Sequence, residues 1–246
     1  MKIIFVTGVI ILSMFCSSMG WADDVLLVFA GAGMRMPLEA IGEQFEAEYG
    51  TKVVCDFEGS GRLGSKILAG QRPDVFVPGA EKWAKLLKDK GYVKRYSPIA
   101  KHIPVILTPL NNTKVGTLRD FMQKDVRLVL GDPKACAIGR VGQRVFAKAG
   151  LNEVEMNVVA RGATVKQLVR WIEFNNADAT IAWRADGFQS NKVAMIPLPE
   201  AFTAGDTIPV CEMTRPTHPE AANRYIAYLL RHGAYLFAQF GFSVLE

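Results

Sequence analysis

Two short glycine-rich segments carry the residues best suited to hold a ligand, Gly31-Ala32-Gly33 and Gly59-Ser60-Gly61. Each follows an aliphatic or β-branched run and leads into a helical pattern. Small residues at such a turn let backbone N–H groups approach a ligand closely, and the helix start behind them adds partial positive charge that favours an anion. Ser60 adds a hydroxyl donor. Either loop alone is also ordinary strand-to-helix turn chemistry with a serine N-cap. As a pair they gain meaning, because open α/β sheets bind ligands beyond the carboxyl ends of their strands.

Gly59, Gly61 and Gly64 also fit G-x-G-x-x-G, the dinucleotide pattern. That pattern normally sits on the first strand of its unit, whereas here it follows the second, and Asp74 lies at the wrong end of its strand to reach a ribose. No Gly-Lys-Ser/Thr follows the glycines, so a P-loop is excluded. The three histidines, His102, His218 and His232, stand in no H-E-x-x-H context, and no G-x-S-x-G supplies a nucleophile. Each is expected to be a surface or capping residue. Glu39 and Glu43 fall at helical spacing on a solvated face. No catalytic set emerges, and the chain reads as a binding protein and not an enzyme.

The elements that must position the two loops follow from periodicity. Short runs at Val25 to Phe29, Val53 to Phe57, Asp74 to Val77, Val105 to Leu107, Val126 to Leu130 and Thr180 to Trp183 alternate with helical patterns. Such alternation predicts α/β sheets with parallel strands. Leu38, Ile41, Phe45 and Tyr49 share one helix face, begun near Pro37 and stopped by Gly50. Leu63, Ile67 and Leu68 mark a second helix ending at Gly70, and Trp83, Leu86 and Leu87 a third ending at Gly91. A second series runs from Val126 through a helix holding Val145 and Phe146 to Gly150, then a helix from Val165 with Leu168, Val169 and Ile172. Ile226, Leu229, Leu230, Leu236 and Phe240 predict terminal helices that pack back on the first series.

Residues 1–22 read as a cleavable signal peptide, with Lys2 as the charge, Ile3 to Phe15 as the apolar run, and Gly20 and Ala22 before the cut. Phe15 stands where a lipoprotein needs a small residue, so lipid attachment at Cys16 is disfavoured and a soluble periplasmic protein is expected. The remaining 224 residues hold 28 basic and 24 acidic side chains, a net of +4 scattered along the chain. With no basic run interleaved with aromatics, nucleic acid is not a partner, while a mild positive field suits small anions. Cys55, Cys136 and Cys211 allow one disulfide of unspecified pairing, and their wide spacing argues against a zinc site.

Val-Phe-Ala-Gly-Ala-Gly at 28–33, Phe-Glu-Gly-Ser-Gly at 57–61, Pro-Asp-Val-Phe at 73–76, Glu-Lys-Trp at 81–83, Leu-Gly-Asp-Pro at 130–133, Ile-Ala-Trp-Arg-Ala-Asp at 181–186 and Gly-Phe at 241–242 occur in that order. Together they resemble the periplasmic molybdate-binding protein family, the substrate-binding proteins of ABC transporters. The resemblance implies a type II two-lobed α/β periplasmic binding fold, each lobe a mixed, mainly parallel sheet flanked by helices. Lobe one would comprise 23–105 and 208–246 and lobe two 106–207, with crossings near Val105 and Pro209. It implies no cofactor, a small oxyanion (molybdate or tungstate) as transported ligand, an ABC permease with its ATPase as partner, and a monomer.

By position, the resemblance assigns ligand contacts to Gly33, Ser60, Ile138, Val165 and Trp183. Gly33 and Trp183 replace the family's usual serine and tyrosine, and Ala137 replaces a common proline. Gly33 keeps only a backbone donor, while Trp183 donates from its indole N–H. Arg35, Arg62, Arg140 and Arg184 lie close in sequence to these loops and offer charge-assisted contacts. A different anion (sulfate, phosphate or an organic anion) and an exported ligand-sensing subunit stand as alternatives.

Overall fold

The computed structural model describes residues 25–202 and 206–244; the signal-peptide expectation for 1–22 lies outside them. Three βα units come first among the described residues. β1 (Leu26–Gly31) leads into α1 (Arg35–Tyr49), β2 (Val53–Glu58) into α2 (Ser60–Leu68), and β3 (Val75–Val77) into α3 (Glu81–Asp89). β1 pairs in parallel with both β2 and β3. Alternation along β1 sends Leu26, Val28 and Ala30 to one core and Phe29 to another on the opposite face, as a period of two requires. α1 covers the first face with Leu38, Ile41 and Phe45, all fully buried, and ends at Gly50, whose φ of 68° is the left-handed conformation that terminates helices.

The sheet is completed by two strands that the sequence reading does not predict, β4 (Val93–His102) and β10 (Asp206–Met213). The strand order is β2-β1-β3-β10-β4, with β10 antiparallel to both neighbours. The closing segment forms one helix, α7 (Pro219–Gln239), and it packs on α1: Tyr225 meets Phe45 edge to face at 5.1 Å. Burying each such side chain contributes about 1.5–3 kcal/mol.

After Ile103 the chain enters a second sheet, in which β5 (Pro104–Pro109) lies between β8 (Thr180–Trp183) and β9 (Val193–Pro197), antiparallel to both. β6 (Leu128–Gly131) and β7 (Val158–Gly162) pair in parallel, and a bridge from Leu128 to Ala179 joins them to the β8 side. Parallel pairing thus accompanies the βα units, and antiparallel pairing the strands at the crossings. α4 (Ala137–Ala149) and α5 (Val165–Glu173) cover this second core, which draws its buried residues from Val105 to Leu198.

Two lobes therefore have separate cores, joined by strands that lie side by side. The first crossing is at Ile103, and by Asp206 and Thr207 the returning strand already pairs with His102 and Lys101. A third tie comes from Arg184, at the start of α6 (Arg184–Phe188), which donates to the carbonyls of Gly241 and Phe242 at 2.8 and 2.7 Å. Among the described residues no helix is long and apolar enough to cross a membrane.

Candidate functional site

The strand ends of both lobes open on one cleft of about 510 Å³. All five residues singled out from the sequence, Gly33, Ser60, Ile138, Val165 and Trp183, line it. Gly33 lies in a tight turn, Ala32–Met34, just before α1. Ser60 begins α2, Ile138 lies in the first turn of α4, and Val165 begins α5. The first N–H groups of a helix have no partner inside it, so these starts aim unpaired donors and a positive dipole end at the same space. At α5 the capping box of Thr164 and Gln167 satisfies the Ala163, Thr164 and Gln167 N–H groups, which leaves those of Val165 and Lys166 without a cap partner.

Side chains complete the wall. The Ser60 hydroxyl accepts from the Gly79 N–H at 2.9 Å, which leaves its own proton free to donate. Trp183, at the end of β8 and 7% exposed, packs in a tilted arrangement at 4.8 Å against His102, at the end of β4. His102 is the residue that sequence reasoning placed wrongly. It is buried, not superficial, and its burial comes from Trp183 and Phe242, residues remote in the chain. No local signal marks it. Desolvation pushes its imidazole down to about 4, so the ring is neutral at pH 7.

Of the four arginines, Arg62 and Arg140 reach the cleft. Arg35 instead pairs with Glu39 at 3.0 Å and covers the Phe57 ring, while Arg184 is the interlobe strut already described. Lys82, Lys134 and Arg144 also line the cleft, so five basic side chains face three acidic ones, Glu58, Asp186 and Asp206. Arg62 sits 3.7 Å from Glu58, Arg144 3.8 Å from Asp206, and Lys166 3.1 Å from Asp186. Burial raises the Asp186 carboxyl, against the pull of Lys166.

The glycine pattern at 59–64 has a packing cause. A Cβ on Gly61 would sit 3.0 Å from the Trp83 indole, and one on Gly64 3.4 Å from it. Those glycines seat a tryptophan. Among the described residues the three cysteines are unpaired, Cys211 and Cys136 buried and Cys55 partly so. Burial pushes the Cys55 thiol up to about 12. Cys136, at the N-cap of α4 in the cleft wall, is also raised by burial, although the Ile138 and Gly139 N–H groups lower it. Among the described residues no group of three His, Cys, Asp or Glu side chains is placed to hold a metal ion.

A family model described as bacterial extracellular solute-binding protein matches residues 26–243. A Haemophilus influenzae protein named only as a binding protein is 29% identical over 204 residues, covering 81% of this chain and 80% of its own. The molybdate-binding protein ModA of Escherichia coli is 25% identical over 187 residues, 71% of each chain. Among solved structures, a substrate binding domain assigned to a molybdenum ABC transporter of Clostridium difficile superposes with a TM-score of 0.80 at 20% identity, covering 90% of this chain and 99% of that one. The sulfate-binding protein SubI of Mycobacterium tuberculosis gives 0.74 at 15% identity, covering 91% and 88%. These structures share the two-lobed fold. With a match across nearly all the described residues and a cleft at the junction of two lobes, the chain belongs to the bacterial extracellular solute-binding proteins, a family of binding proteins and not of enzymes.

Proposed function

We propose that this protein is the solute-capturing component of an ABC importer that closes its lobes on a small oxyanion, molybdate or tungstate first, and delivers it to a membrane permease driven by its ATPase. It acts as a periplasmic monomer after residues 1–22 are removed. One observation carries the reading. The starts of α2, α4 and α5 and the turn at Gly33 converge on a single cleft with the Ser60 hydroxyl and the Trp183 indole. Desolvating a dianion is costly, and only several converging donors offset that cost. Neutral donors from both lobes do so while drawing the lobes together, and the anion stabilises the closed form by its differential affinity for it.

A larger organic anion is the second reading, favoured by Lys134 and Lys82. Both line the cleft without an ion pair among the described residues. A melting panel of molybdate, tungstate, sulfate, phosphate and organic anions, followed by calorimetry, separates the two. A ligand at a hundred times its Kd adds about 2.7 kcal/mol, which moves the melting point by roughly 5–10 °C in a chain of this size. Molybdate or tungstate is expected to give the largest shift. If none of the inorganic oxyanions moves the melting point and an organic anion does, the second reading replaces the first.

A further inference from the structure

His102 lies at the end of β4, where the chain passes from one lobe to the other. The residue is 6% exposed and forms part of the cleft wall. Trp183 holds it at 4.8 Å and Phe242 at 5.0 Å. The Cε1–Nε2 edge faces the loops of lobe one: Cε1 is 3.6 Å from the position of a Cβ on Gly33, and Nε2 is 3.7 Å from that of a Cβ on Gly79. Gly79 is also the residue whose N–H the Ser60 hydroxyl accepts, so Nε2 and Ser60 share one corner. On the far side, Nδ1 is fully buried without a hydrogen-bond partner.

We infer that His102 is a neutral hydrogen-bond donor to the captured anion, through Nε2–H; this rests on the oxyanion reading above. A neutral imidazole carries one proton on one of its two nitrogens. On Nδ1 that proton would be a desolvated donor without an acceptor, while the bare Nε2 lone pair would face an anion. Both features are unfavourable. On Nε2 the proton meets the anion, and only an unpaired lone pair is left inside. The ring's neutrality fits a site that holds its ligand with dipoles. Glycine at 33 keeps the ring edge open, since a serine there would occupy the space beside Cε1.

The competing role is packing between Trp183 and Phe242, which a phenylalanine would fill equally well. His102→Phe keeps the shape and removes the donor, whereas His102→Gln restores an N–H. Calorimetry with sodium molybdate at pH 7.5 is expected to show binding to His102→Phe weakened about tenfold to a hundredfold, the loss of a hydrogen bond to a charged group. His102→Gln should recover part of that loss, and melting without ligand serves as the fold control. In the wild type, nitrogen-15 spectra of the imidazole should show the proton on Nε2 in the molybdate complex, a readout that stands even where a variant fails to fold. Molybdate binding to His102→Phe at wild-type strength, or a bound state protonated on Nδ1, overturns the inference alone. A wild type that binds none of molybdate, tungstate, sulfate and phosphate overturns the oxyanion reading, and this one with it.

Discussion

The two walls of the cleft are built by different means. In lobe two, the glycines at 131 and 139 let backbone lie on backbone: a Cβ on Gly139 would fall 2.5 Å from the Gly131 carbonyl oxygen and 2.7 Å from the Asp132 carbonyl carbon. The start of α4 is locked against β6 by chain atoms that have nowhere to move. In lobe one the nearest neighbours are side chains, although the Gly79 backbone nitrogen also comes within 3.1 Å of a Cβ on Gly31. A Cβ on Gly31 would first meet the flexible end of Met34 at 2.8 Å, and one on Gly33 would find only His102 at 3.6 Å. The loops there are tied by the polar contact from Gly79 to Ser60. Lobe two thus fixes the start of α4 by steric apposition, and lobe one fixes the Ser60 corner by a hydrogen bond, so substitutions at these two places should fail in different ways.

The largest effect is expected at the backbone lock. Gly139→Ala must push α4 away from β6, at a cost of about 3 kcal/mol or more for a clash with backbone. Melting should fall by roughly 6–12 °C. Gly33→Ala, with ordinary van der Waals distance to its nearest neighbour, should melt within a degree or two of the wild type. Equal melting of the two variants would remove the distinction between the walls.

Next in size is the acid response of lobe one. His102 sits at about 4 in the folded protein against an ordinary 6.5, so the unfolded chain takes up its proton first. The folded state therefore keeps its full advantage above pH 6.5, loses it as pH falls from 6.5 to about 4, and levels off below. The shift sets an upper bound on the order of 3 kcal/mol. Melting of wild type and His102→Phe at pH 7.5 and at pH 4.5 isolates this contribution, because the carboxylates titrate in both. The wild type should lose several degrees more than the variant, and parallel losses would show that the ring is not buried as described.

The sequence made the βα units of both lobes legible because their helices are amphipathic and stopped by glycines such as Gly50 and Gly150, both with left-handed φ. β4 and β10 escaped for a physical reason. Each contains a proline, which normally demotes a run from strand interior, and here Pro98 faces Pro209 beside a bulge in the ladder. Ser60 stood out by its glycine-rich loop and Ile138 only by resemblance, and the structure brings both to one cleft. His102 had no such support. A single histidine between Lys101 and Ile103 carries no periodic signature, and only the packing of β8 and the C-terminal residues around it makes it a buried ring. Gly61 and Gly64 match the dinucleotide pattern for another reason, since close approach of Trp83 imposes the same demand for small residues as a pyrophosphate.

The smallest effects should separate dipoles from charges within the cleft. Ser60→Ala removes a donor and strands the Gly79 N–H, so binding of the preferred oxyanion should weaken by about 1.5–3 kcal/mol, with little dependence on salt. Lys134 is exposed at the cleft, where solvent screens its field. Lys134→Ala should therefore cost under about 1 kcal/mol at low salt and almost nothing at 0.5 M salt, where the screening length falls to only a few ångströms. Calorimetry of both variants at low and high salt makes the test. If Lys134→Ala weakens binding more than Ser60→Ala, and the loss persists at high salt, the ligand is held by charge and not by the ring of neutral donors. The larger organic anion then becomes the better reading, because its second charged group would reach the rim where Lys134 stands.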